Sequence, residues 1–211
     1  MNTDYPMNRH RSADTAQSAA YGHTTKAVRP GHTSTAESSQ GDKYRAQLNG
    51  RYGIDNALAV LHDIEKHGDF LTFAQRYIHD ENCRVACNAM WILTKVPKAG
   101  LPQLRPLLDQ LTDMSMHSSN PTLRRLSMNV IERLKIGKEE VRSDFLDYCI
   151  AHMQDVTEFP GIQSLCLKLA FQMCAHYPEL HDELIRTLQN MEMEFYTPAL
   201  RSVRYKILRH K

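Results

Sequence analysis

The sequence predicts an all-α fold, an α-α superhelix of about four antiparallel helical hairpins, and three observations carry that reading. Apolar residues recur at three- and four-residue steps, first in Ile54, Leu58, Leu61 and Ile64 and then in Phe70, Phe73, Ala74 and Tyr77. No segment alternates apolar and polar residues long enough to make a strand, and no Asn-Gly or Asp-Gly pair joins two β-branched runs. A proline-led pattern returns at nearly constant spacing in Pro121-Thr-Leu-Arg, Pro160-Gly-Ile-Gln and Pro198-Ala-Leu-Arg.

Taken in order, the periodicity predicts nine helices over 54–67, 69–79, 82–96, 101–117, 121–135, 139–155, 160–177, 179–193 and 197–209. Gly68 suits a left-handed stop for the first, and Asp69 suits an N-cap whose carboxylate accepts from the free amides of the next. Pro97, Gly100 and Pro102 mark a turn. Asn120 before Pro121 and Thr197 before Pro198 put a capping side chain ahead of a proline at the first helical position, where its missing amide costs nothing. Every joint is short, so consecutive helices fold back as antiparallel neighbours.

The proline-led helices also share a register. Cys83, Leu123, Ile162 and Leu200 form one column, at steps of 40, 39 and 38 residues. Three positions on stand Ala86, Leu126, Leu165 and Val203, and seven positions on Met90, Val130, Leu169 and Ile207. The column just after the first holds Arg84, Arg124, Gln163 and Arg201, whereas the tenth offset, with Leu93, Arg133, Gln172 and His210, has no shared character. A hairpin repeated about every 40 residues cannot bury its apolar faces alone, so neighbours stack into a curved solenoid. On these residues Ile54 to His210 resembles the HEAT-like and armadillo-like α-solenoids. That resemblance implies a stack of helical pairs with a concave binding surface.

Composition sets the domain organisation. No Leu, Ile, Phe, Trp or Cys precedes Leu48, so residues 1–43 read as a disordered polar tail and 44–211 as the solenoid domain. The tail lacks both the apolar centre of a secretory signal and the amphipathic face of an organelle-targeting helix, and His10, His23 and His32 are too dispersed for a metal site. The 26 Lys and Arg against 24 Asp and Glu give +2, which by itself demands neither nucleic acid nor an anionic membrane. No apolar run is long enough to span a bilayer. Five cysteines near apolar helical positions read as reduced, buried thiols, which points to the cytoplasm.

No glycine-rich phosphate loop, His-Glu-x-x-His, Gly-x-Ser-x-Gly or Cys-x-x-Cys is present, so the sequence calls for no cofactor, no metal and no catalytic group. Cys83 and Cys87 stand one turn apart and suit either core packing or a shared metal, although no second pair has ligand spacing. Trp91 suits a packed wall or a stacking platform, and the ten methionines suit core or an adaptable groove. The leading expectation is a non-catalytic scaffold that binds a protein partner on a concave face built from 101–117, 139–155 and 179–193, using Arg105, Asp109, Arg142, His152, Glu183 and Arg186. The competing expectation is a nucleic-acid protein resembling the HEAT-like DNA alkylation repair family, with Arg84, Arg124, Arg125, Arg201, Arg204 and Lys206 on phosphates and Trp91 at a base.

Overall fold

A computed structural model of the chain describes residues 44–50, 53–67 and 69–209. The tail, with its three histidines, the stop assigned to Gly68 and the column position of His210 lie outside the described residues. Among those described there are helices and turns and no strand. The α-helices are α1 (44–49), α2 (Ile54–His67), α3 (Phe70–Tyr77), α4 (Cys83–Leu93), α5 (Leu101–Leu104), α6 (Leu108–His117), α7 (Pro121–Leu134), α8 (Ser143–Gln154), α9 (Pro160–Cys174), α10 (Pro178–Asn190) and α11 (Pro198–Arg209).

Local chemistry sets most boundaries. Asp69 accepts from the amides of Leu71 and Thr72, Asn82 from Arg84, and Asn120 from Thr122 and Leu123, so each side chain satisfies donors that a first turn leaves open. Thr197 Oγ1 accepts from the Leu200 amide at 3.4 Å. The single helix expected over 101–117 is divided, because Pro106 cannot donate and a 3-10 turn at Arg105–Leu107 separates α5 from α6. The expected 139–155 helix begins only at Ser143, after a short 3-10 turn at Lys138–Glu140. Residues 44–49 form a helix that the tail-to-core boundary did not announce, and it buries Leu48 completely.

Within the repeats, α3 packs on α4, α6 on α7 and α8 on α9, so α4, α7 and α9 are each the second member of a hairpin, whereas α10 packs on α9. The helices α4, α7, α9 and α11 then stack directly, one on the next. In the other row α6 and α8 meet at few positions and α8 and α10 at fewer. The row α4, α7, α9 and α11, packed helix on helix, is the inner row, and the more loosely packed α6, α8 and α10 form the outer row. Periodicity identifies the helices but not which neighbour each one packs on most closely.

The apolar ladder is the core, with one register correction. Ala86, Leu126, Leu165, Met90, Val130 and Leu169 are all buried, and Ile162 and Leu200 are fully so. Cys83 is exposed, and a step of 41 residues matches the burial better, setting Val85, Ala89, Met90 and Leu93 on Leu126, Val130, Ile131 and Leu134. At the start of α2 the buried face is Ala57, Val60, Leu61 and Ile64, while Ile54 and Leu58 remain 47% exposed.

Candidate interaction surface

The polar side chains between repeats divide into those that tie the stack together and those that face outward. Arg105 donates to Glu140 Oε1 at 2.6 Å and to the carbonyls of Leu134 and Lys135 at 2.6 and 3.1 Å, which closes the end of α7. Glu140 also accepts from the Gly137 amide, and these partners, Arg105 first, hold its carboxyl below the usual range. Arg142 pairs with Asp113 at 2.8 Å and Asp144 at 2.6 Å, with Asp109 farther off at 3.9 Å. Arg105 and Arg142, expected on a binding face, thus serve as clamps between neighbouring elements.

Arg124 and His152, assigned by sequence to rival functions, belong to one network. Both reach Glu158 Oε2, at 2.7 and 2.6 Å, and the Glu158 side chain is only 6% exposed. Burial alone would raise the Glu158 carboxyl, but the Phe159 amide, Arg124 and His152 outweigh it and hold it low. The Tyr148 ring lies 4.0 Å from His152, and its hydroxyl accepts from Arg124 Nε at 3.1 Å. Burial pushes the Tyr148 hydroxyl up. Glu158 was missed in the sequence because it sits in a turn, away from any apolar column.

Other arginines are also spent on backbone. Arg133 donates to the carbonyls of Thr94 and Val96, Arg201 to those of Tyr196 and Glu194, and Arg204 to those of Leu188 and Gln189. Gln163, the odd member of the arginine column, is buried and donates to the Asp155 carbonyl at 2.8 Å. Trp91 is half-buried and packs against the core.

What remains outward-facing is sorted by sign. The inner row carries exposed Arg84, which reaches the Asn49 carbonyl only at 3.5 Å, exposed Arg125, half-buried Lys168 and exposed Lys206 and Arg209, and its helices contain one acid, Glu132. The outer row carries exposed Asp109, Asp147, Asp182 and Glu183 beside the Asp113 and Asp144 that Arg142 engages, with Arg186 exposed among them. Asp109, Glu183 and Arg186 of the expected face are exposed, on the helices α6 and α10. Net charge concealed this separation, and sorting the charged residues by repeat position would have found it.

Among the described residues, grooves lie beside the turns between helices. One of about 630 Å³ runs beside Val156, Met191, Phe195 and Tyr196, with Phe195 63% exposed. Another, of about 530 Å³, runs between the turn after α3 and the turn after α6, beside Cys83, Asn120, His79 and His117. Cys149, Cys166 and Cys174 are buried as expected, whereas Cys83 is exposed and Cys87 half-buried.

The model of the HEAT repeat domain matches residues 44–211. The chain belongs to that family. Neither the curated proteins nor the solved structures gave a match. As a HEAT repeat domain it is a helical scaffold of the kind that supports protein interaction. None of its described helices is long and apolar enough to cross a membrane.

Proposed function

We propose that this HEAT repeat domain is a non-catalytic scaffold that takes an acidic segment of a protein partner on its inner row of helices. The separation of charge between the two rows carries this reading. Arg84, Arg125, Lys168, Lys206 and Arg209 present cations from four successive helices, with Glu132 the one acid in those helices. Such a surface attracts an anionic chain and repels a basic one, and so supplies orientation and association rate as well as affinity. Three buried free thiols suit a reducing compartment and support a cytoplasmic location.

A second reading puts duplex nucleic acid on the same cations, favoured by their spread over successive rungs. Against it, Arg124 is paired with Glu158 and Arg201 and Arg204 are engaged with carbonyls, which reduces the donors open to phosphates. Affinity capture from the native cell, with and without nuclease, separates the two. The protein reading requires a partner that survives nuclease and is lost with Arg84→Glu, Arg125→Glu and Lys206→Glu at unchanged melting temperature. Reversal of Asp109, Glu183 and Arg186 on the outer row is the control and leaves capture intact. Capture that nuclease abolishes, with a steep salt-dependent affinity for duplex, establishes the nucleic-acid reading instead.

A further inference from the structure

The two cysteines at the start of α4 stand apart from the other three. Cys149, Cys166 and Cys174 are buried in the core, as thiols acting as small apolar side chains should be. Cys83 is exposed, Cys87 is half-buried, and their sulfurs lie 3.8 Å apart on successive turns of one helix. Cys83 borders the 530 Å³ groove between two turns, so the pair is open to solvent on one side.

Two features suit this pair to a cation. Two sulfurs held at about 2.3 Å in a tetrahedral arrangement are about 3.8 Å apart, so the observed separation already matches the bite of a tetrahedral ion. The second is the amide of Asn120, whose Nδ2 lies 2.7 Å from Cys83 Sγ and 3.7 Å from Cys87 Sγ. An N–H directed at sulfur stabilises the thiolate over the thiol. The Asn120 oxygen meanwhile accepts from the amides of Thr122 and Leu123 as the cap of α7, so the amide is held in this orientation from the neighbouring repeat.

We propose that Cys83 and Cys87 form a bidentate dithiolate site for a thiophilic divalent cation of the zinc and cadmium class, with Asn120 as the positioning residue. Among the described residues no group of three His, Cys, Asp or Glu is placed to hold an ion, so two coordination positions stay open to water or to an exogenous ligand in the groove. Binding replaces two S–H bonds by two S–metal bonds and releases two protons to solvent, with no change in oxidation state. Both ligands bind as thiolates, so affinity rises with pH.

The test is titration of the reduced full chain with Cd2+ alone, followed by the ultraviolet sulfur-to-cadmium charge-transfer band, to which histidine and carboxylate ligands do not contribute. The expected result is saturation at one equivalent, with the band lost in Cys83→Ser and in Cys87→Ser. Asn120→Thr keeps a capping oxygen but removes the amide N–H without adding a carboxylate, and is expected to weaken binding about tenfold. Absence of the band at large excess of Cd2+, or its persistence in the doubly substituted Cys83→Ser, Cys87→Ser protein, overturns the proposal. The wild-type result does not depend on any variant folding, and a failure here leaves the charge-reversal experiment on the inner row unaffected.

Discussion

Arg133 of one repeat donates from Nη1 to the carbonyl of Thr94 in the preceding repeat at 2.7 Å, and also bonds the carbonyl of Val96. One repeat further on Gln172 donates to the carbonyl of Glu132 at 3.2 Å, and His176 meets the carbonyl of Ile136 at 2.8 Å. The last carbonyls of a helix have no partner within it, and here the next repeat supplies the donor. An arginine and a glutamine thus perform one task in a column with no shared residue type.

Arg133→Met is therefore expected to destabilise the domain by about 1.5–3 kcal/mol, the range for hydrogen bonds to a charged group. Gln172→Met should cost about 0.5–1.5 kcal/mol, because its donor is neutral. Urea unfolding checks both through the transition midpoint, and Arg133→Gln should recover part of the loss. Equal effects at the two sites would show that the charge of Arg133 contributes nothing to the tie.

Glu158 is expected to make stability sensitive to acid. Its folded carboxyl titrates below the ordinary glutamate value near 4.3, so its contribution is present above that value and is lost as pH falls through the lower, folded one. Near pH 7, Glu158→Gln should cost about 2–3 kcal/mol, since it strips the partner from a largely buried Arg124 and from His152. Melting temperature against pH for the two proteins should show a gap at neutrality that closes in acid. A gap that stays constant down to low pH would assign the stabilisation to packing in place of charge.

Gly100 illustrates what was legible in the sequence and what was not. It reads there as a turn residue, yet its backbone is ordinary right-handed helical, with φ −87° and ψ −16°. Its size is what matters, because a Cβ at this buried position would meet Phe70 Cε2 at 2.7 Å and Val96 Cγ1 at 2.9 Å. The helices, the caps at Asp69 and Asn120 and the apolar ladder were readable because each depends on neighbours within a few positions. The one-residue shift at Cys83 and the shared task of Arg133 and Gln172 depend on contacts some 40 residues apart, on which local periodicity is silent. The charge separation was present in the sequence and was hidden by summing it.

Gly100→Ala should therefore destabilise by about 1–3 kcal/mol through overpacking, with no contribution from backbone conformation. The penalty should shrink in a Phe70→Leu background, where the ring that crowds the new methyl is gone. A double-mutant cycle by denaturant unfolding measures that coupling, and strict additivity would remove the explanation.

The thiols should separate into two kinetic classes. Burial holds the Cys149 thiol well above its ordinary range, and burial together with the charge of Glu183 pushes Cys174 up to about 11, so neither offers an accessible thiolate in the folded protein. Cys166 is equally buried. At neutral pH an aromatic disulfide reagent should modify Cys83 first, because it is exposed at the start of α4, and Cys87 more slowly. The other three should react only at the rate of unfolding and become fast in denaturant. Peptide mapping over time identifies each site, and rapid native labelling of Cys166 would contradict the packing of α9 against α8, on which the third repeat rests.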